Sequence, residues 1–195
     1  MLIKNTERGI AAMSEQTFIR NAAPTLAGIK TGSLFPFHFA SRSQATRELC
    51  GWNRRLTPKG LRLLPLRMTD HFATLYLYRP SMLRADLQNR ETVCLLKEAG
   101  YGAYDEKTCL RELYRRFHRG DGFPHEVGLF LSYPPEDVRG FIEHRNQGCK
   151  CVGCWRVYGD ERAAKCRFAQ YQRCINCYLR QHAQGQSLEQ LAVKI

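Results

Sequence analysis

The stretch LRLLPLRMTDHFATLYLYRP, residues 61–80, decides the fold. LRLLPLR (61–67) and FATLYLYRP (72–80) are apolar segments separated by the turn-like MTDH, and Phe72, Leu75, Leu77, Tyr76 and Tyr78 belong to the residue types that favour strands. Two such segments across a short polar turn predict a β-hairpin. Pro65, which has no amide proton for a ladder, predicts that its strand is an edge or carries a bulge.

Helical signals surround the hairpin. Ser14 is a good N-cap for EQTFIRNAA, and Ser41 or Ser43 opens a basic helix to about Leu56 that Thr57-Pro-Lys-Gly60 ends. Between these helices, APTLAGIKTGSLFPFHF predicts a glycine-punctuated loop leading into a short strand near 33–39. Downstream, helices are expected over 81–89, over 91–99 closed by Gly100, and from Asp105 to His118 with Gly120 behind it. HEVGLFLS and PPEDVRGFIEHR form a further pair, the second started by its prolines. WRVY (155–158) then reads as a strand, and a long helix runs from Asp160 to Gly185. The expected fold class is α+β: a single compact domain over 13–195 in which a small, mostly antiparallel sheet packs with several helices. Residues 1–12 lack periodicity and are expected to be a disordered extension, which leaves both Met1 and Met13 open as the start.

Composition agrees with a folded chain. Hydrophobic residues make up 44% and aromatic residues 11% of 195, enough for a sizeable core and too much for intrinsic disorder. No apolar run approaches the roughly 18 residues of a membrane span, and the N-terminus lacks the apolar segment of a secretory signal, so a cytoplasmic location is expected. In that compartment nine cysteines point to metal, redox or packing roles rather than to disulfides, and their odd number opposes complete pairing.

The best chemical clue is CKCVGCW (149–155). Cys151-x2-Cys154 and Cys174-x2-Cys177 are two close pairs at zinc-site spacing, and four thiolates would give zinc the tetrahedral field it prefers. Cys149 and Cys166 are alternates. Zinc is the favoured ion, an iron–sulfur cluster the second choice, and the role is structural or one of metal and redox handling within a thiolate-rich strand–helix element over 149–185. On the helix, Ala164, Phe168, Tyr171, Ile175 and Tyr178 form the apolar stripe, which leaves Cys174, Cys177 and Cys166 off its centre. Cys50, Cys94 and Cys109 read as core filling, and Trp52 and Trp155 as packed aromatics.

The formal charge of +12 admits a second class, a nucleic-acid or polyanion-binding module using Arg54, Arg55, Lys59, Arg62 and Arg67. A solvated basic surface is the plainer reading. An enzyme is the third class, and nothing in the sequence names its reaction. HEVGL at His125 lacks the second histidine of a zinc-protease helix, since position 129 is Leu, and AGIKTGSLF lacks the spacing of a phosphate loop. Its Lys30, Thr31 and Ser33 among glycines could bind an anion, although a turn feeding a strand is the plainer reading; an enzyme would use a pocket lined by AGIKTGS and the sheet, with Lys30, Arg79 and His125 around one cleft. Asp160 and Glu161 are explained as helix-start acids.

APTLAGIKTGSLF, PKGLRLLPLR, YLYRP, FPHEVGLFLSYPPEDVRGFIE and CKCVGCWRVYGD, in that order, resemble a bacterial family known as domain of unknown function 3793, found largely in anaerobic Firmicutes, over about residues 14–192. The resemblance implies a one-domain cytoplasmic protein and supplies no catalytic residue. Members often carry a cysteine where this chain has Ala22, a departure that weighs against an N-terminal thiol joining the C-terminal cysteines.

Overall fold

Residues 13–119 and 122–195 are described by the computed structural model, so the expectations for 1–12 and for Gly120 fall outside it. The hairpin forms where the sequence places it. Strands β2 (Arg62–Met68) and β3 (Phe72–Tyr78) pair antiparallel, and β1 (Gly32–His38) joins the other side of β3, giving the order β1-β3-β2. Both expectations for Pro65 hold, because β2 is an edge strand and its register slips between Pro65 and Arg67. The slip buries Leu66 and puts Arg62, Leu64 and Arg67 opposite Tyr78, Tyr76 and Thr74, on one face of the sheet.

β3 is buried on both faces, which explains its near-continuous apolar run. On one face Ala73, Leu75 and Leu77 join Phe35, Phe37 and Leu63 beneath α1 (Glu15–Leu26), α2 (Arg42–Leu56) and α9 (Leu188–Leu191). On the other, Tyr76 and Tyr78 stack in parallel at 5.0 Å and pack against α3 (Pro80–Asp86), α4 (Arg90–Glu98), α5 (Glu106–Arg119), the single turn α6 (Val127–Phe130) and α7 (Pro135–His144). Tyr76 donates from its hydroxyl to the Phe130 carbonyl at 2.6 Å, directly over Gly32. A Cβ at Gly32 would stand 2.7 Å from that carbonyl oxygen, so only glycine lets the strand pass there. The result is a helical layer on each face of a three-stranded antiparallel sheet, the α+β class expected.

Capping follows the sequence closely. The hydroxyls of Ser14 and Ser41 accept from the amides of Thr17 and Gln44, Asp105 accepts from Thr108, and Gly60 closes the 3-10 turn Thr57–Lys59 at φ +75°. The short α9, held by a capping box between Ser187 and Gln190, carries no periodicity long enough to be read in advance.

Two buried charged groups tie the layers together. Arg79, with 0% exposure, lies at the end of β3 and gives its guanidinium to four backbone carbonyls: Nε to Thr25 (2.7 Å), Nη1 to Lys59 (3.1 Å), and Nη2 to Leu26 (2.6 Å) and Val193 (2.8 Å). It thereby clamps the end of α1, the turn after α2 and the C-terminal segment. Asp137, 2% exposed near the start of α7, does the same for the cysteine element. Its Oδ2 accepts from the Trp155 indole at 2.6 Å, and its Oδ1 from the amides of Tyr158 (2.7 Å) and Gly159 (2.8 Å). That element is slighter than WRVY suggested: β4 (Cys151–Val152) and β5 (Arg156–Val157) form a minimal hairpin leading into α8 (Glu161–Ala183), capped by Asp160. Cys109 is buried as expected, whereas Cys50 and Cys94 are exposed, a correction that follows from their lying on the outward sides of α2 and α4.

Two stability measurements test these ties. Arg79→Met removes the guanidinium from four backbone carbonyls, of which those of Lys59 and Val193 have no other partner among the described residues, and should lower the unfolding free energy in urea by about 3–5 kcal/mol, with Arg79→Lys recovering part of the loss. A loss under about 1 kcal/mol in Arg79→Met would mean that the carbonyls find other partners. Asp137→Ala should increase acrylamide quenching of Trp155, read in a Trp52→Phe background. Asp137→Asn, which can still accept the two amides but turns a donor toward the indole, should give an intermediate effect; unchanged quenching in both variants would show that packing alone docks the hairpin.

Candidate functional site

The loop that the sequence singled out, AGIKTGS (27–33), is shaped by the way α1 ends. Gly28 takes φ +73°, its amide donates to the Thr25 carbonyl and the Ile29 amide donates to the Pro24 carbonyl, the Schellman pattern of a glycine-terminated helix. The Arg79 amide then donates to the Thr31 carbonyl at 2.9 Å while its side chain holds the carbonyls of Thr25 and Leu26, so the loop is wrapped around one residue.

Thr31, 1% exposed, is the pivot of what the loop presents. Its hydroxyl donates to Asp86 Oδ2 at 2.5 Å, and its amide donates to Ser132 Oγ at 2.8 Å. Ser132 sits at φ +55°, a conformation that costs a non-glycine residue energy and that clusters at functional sites. The three residues line a cleft of about 560 Å³ bounded by the loop, the end of α3, the start of α4, the segment 129–136, Trp155 and the first half of α8. Tyr171, Arg167, Asn89, Glu136 and Asp160 add further polar groups to its walls.

Electrostatics mark the same place. Burial raises the Asp86 carboxyl above the usual carboxylate range, with the Thr31 hydrogen bond acting in the opposite direction. Tyr171 and Tyr133 are each pushed up to about 12, chiefly by burial. Lys30 extends over both rings, its Nζ 5.4 Å from the Tyr133 centroid and 5.9 Å from that of Tyr171. Desolvation lowers it to about 8, and the nearby Cys154 raises it slightly against that trend. Chemically, the cleft offers a carboxyl able to exchange a proton, a serine hydroxyl whose proton is given to no group among the described residues, and a half-buried amine beside the wall.

The expected trio does not assemble. Lys30 stands beside this cleft, Arg79 is spent on backbone carbonyls, and His125 belongs to a separate cavity, where its ring meets Phe141 edge-on at 4.9 Å. Ser33, offered by the sequence alongside Lys30 and Thr31, is hydrogen-bonded internally to Thr25 at 2.9 Å. The Thr31 amide is likewise spent on Ser132 rather than presented to an anion. Asp86, Ser132 and Tyr171 went unread because they come from three distant segments. The one local signal was polar Ser132 between the apolar GLFL and Tyr-Pro-Pro.

The four-thiol site is not assembled either. Among the described residues no three His, Cys, Asp or Glu side chains form a group that could hold a metal ion. The reason is where the hairpin lands on α8. Phe168 packs directly beneath Gly153 and meets Trp155 edge-on at 4.5 Å, which fixes the Cys151–Cys154 turn at the level of residue 168. Cys174 and Cys177 lie six and nine residues further along, about 9 and 13 Å at helical rise. Cys174 is packed instead against the main core between α8 and α1, and burial raises its thiol to about 11. Of the alternates, Cys149 faces Arg156 at 3.9 Å and Cys166 is exposed on α8. The two cysteine pairs therefore do not converge among the described residues.

The basic residues of the nucleic-acid reading are dispersed. Arg55 is bound by Glu15 and Glu189 and stacks 4.6 Å over Trp52, Arg54 is exposed on α2, Lys59 caps the turn that Arg79 holds, and Arg62 and Arg67 share one face of β2. No helix among the described residues is long and apolar enough to cross a membrane.

No curated protein and no solved structure matches the chain. The loop at 27–33, the hairpin, Asp86, the strained Ser132, the Asp137 tie and the cysteine hairpin all fall within residues 18–192, the span that matches the family model described as "Protein of unknown function (DUF3793)", and the chain belongs to that family.

Proposed function

We propose that the protein binds a small ligand rich in hydroxyl or amine groups in the cleft at Thr31, Asp86, Ser132 and Tyr171. The observation that carries this reading is the unspent capacity around a buried hydroxyl. Thr31 uses both its hydroxyl and its amide to fix Asp86 and Ser132, while Asp86 Oδ1 and the Ser132 proton have no partner among the described residues and border open volume. An acceptor and a donor held side by side suit a hydroxyl or an amine, which can meet both.

Charge narrows the class. In a chain of formal charge +12, the cleft gathers Asp86, Glu136 and Asp160 against Arg167 in its wall and Lys30 beside it, among the described residues. That balance disfavours phosphates and carboxylates and favours neutral polyols and amines. The reading departs from thiolate metal binding because the two cysteine pairs lie apart, and from polyanion binding because the cationic side chains do not converge.

The test is a thermal-shift and calorimetric screen of the full chain with monosaccharides, amino sugars and small diamines. At least one of these should raise the melting temperature, as any ligand that binds only the folded state does. Asp86→Asn and Ser132→Ala should each weaken that binding by about tenfold or more, in line with loss of one hydrogen bond to a charged or buried group, whereas Cys94→Ser on the far side of α4 should not. A ligand whose affinity is indifferent to both cleft substitutions, or a panel without a single binder, would overturn the reading.

Lys30 supplies an independent check on the electrostatics of the wall. Its folded-state value of about 8 lies below the ordinary 10.5, so between those two pH values the unfolded chain binds the proton and the folded chain does not. Stability should therefore rise with pH across that window, relative to Lys30→Met, and show no Lys30-dependent slope below about pH 7. Parallel pH profiles for the two proteins would show that Lys30 is solvated.

A further inference from the structure

On the other side of the Tyr133–Trp155 stack lies a second cavity, of about 450 Å³, unlike the first in character. Tyr133 and Trp155 line both. Its walls are Leu34 from the edge strand β1, Val127 and Leu131 around α6, and Val138 and Phe141 from α7, with the half-exposed ring of Phe123 at 52% beside His125. The backbone makes this space deliberately: a Cβ at Gly128, which lines it, would come within 2.8 Å of the Val138 methyl.

Among the described residues, Asp137, His125 and Arg156 are its acid and base side chains beside the Tyr133 phenol, and they are not equivalent. Asp137 is consumed by three hydrogen bonds, from the Trp155 indole and the amides of Tyr158 and Gly159, so its lone pairs are directed away from a guest. Burial, and then the neighbouring Arg145, lower His125 from its ordinary value, with Glu126 acting in the opposite direction. Arg156 is different. Its guanidinium meets only the Cys149 sulfur, at 3.9 Å, and has no carboxylate partner among the described residues. A half-open, mostly apolar cavity of this size with one unspent guanidinium has the composition of a small-molecule pocket, and a guanidinium is the group best shaped to take a carboxylate in two parallel hydrogen bonds.

We propose that this cavity is a second ligand site, for a small amphipathic anion whose aromatic or aliphatic body lies among Leu34, Leu131, Val138 and Phe141 and whose carboxylate pairs with Arg156. The two sites take opposite chemistry, a polyol or amine in front of the Tyr133–Trp155 wall and an apolar acid behind it.

The experiment is isothermal titration of the full chain with 4-phenylbutyrate and with its neutral amide, 4-phenylbutanamide. The acid should bind at least tenfold more tightly than the amide. Arg156→Gln should weaken the acid by about tenfold and leave the amide unchanged, and Leu34→Trp, a filling substitution on a partly exposed edge strand, should abolish both while the far-ultraviolet circular dichroism stays native. Asp86→Asn should leave both affinities as they are, which separates this site from the polar cleft. Equal binding of acid and amide, an acid affinity indifferent to Arg156→Gln, or no measurable binding of the acid at millimolar concentration would each overturn the proposal.

Discussion

A single buried guanidinium organises this protein. Arg79 has no carboxylate to neutralise it among the described residues; four carbonyl oxygens surround it, and burial lowers its affinity for its proton from a value so high that the group stays charged. Such a charge is tolerated only where every donor is satisfied, and the carbonyls that satisfy it come from segments far apart in sequence, at residues 25–26, 59 and 193. The constraint is mutual. Those carbonyls sit at helix and turn ends; Thr25 and Leu26 also accept from the amides of Gly28 and Val193, while for Lys59 and Val193 the cation replaces the water that would otherwise have to approach the core. Glycines at 28 and 60, both at positive φ, let the backbone fold close around it, and the Ile195 backbone packs against Gly60.

From that clamp the cleft follows. The Arg79 main chain continues β3 and binds the Thr31 carbonyl while its side chain binds the carbonyls of Thr25 and Leu26, so the loop between α1 and β1 has little freedom. Thr31 and Lys30 are displayed by this rigidity, and Thr31 in turn positions Asp86 on α3 and Ser132 beyond α6. Asp137 plays the corresponding part for the other wall. By binding the Trp155 indole and the amides after β5, it holds the aromatic partition that separates the polar cleft from the apolar cavity. A preorganised site needs its contacting groups fixed by others that touch no ligand, and here those are Arg79 and Asp137.

Much of the fold was legible because its signals are local. Phe72 to Tyr78 read as a strand from residue type alone, Pro65 announced an edge or bulge, and Ser14, Ser41, Asp105 and Asp160 marked helix starts through hydrogen bonds that reach only three residues. The site was legible only in part. AGIKTGS was visible as a loop with chemistry in it, but its partners Asp86, Ser132 and Tyr171 look individually like ordinary residues of a helix, a turn and an apolar stripe. Their significance depends on packing between segments as much as 101 residues apart, as in the bond from Thr31 to Ser132. Arg79 misled for the opposite reason: a cation beside a strand resembles a ligand-binding residue, and nothing nearby in sequence shows that four carbonyls already occupy it.

The cysteines show why spacing and geometry part company. Two Cys-x2-Cys pairs separated by a strand and a helix can meet only if the helix brings its far pair back level with the turn, and that depends on which residue of the helix the turn rests on. Gly153 fixes the answer. Lacking a side chain, it lets the Phe168 ring approach its backbone closely, and Trp155 closes on the same ring. The apolar stripe of α8 thus has two jobs along its length: Ala164, Phe168 and Tyr171 hold the hairpin, while Cys174, Ile175, Tyr178 and Leu179 hold α1 and the main core. A contact in the first group sets the register, and Cys174 of the second is left behind, between one and two turns away, as packing against the core. The same docking that separates the cysteines sets Trp155 against Tyr133, and so divides the space behind the hairpin into one polar and one apolar chamber.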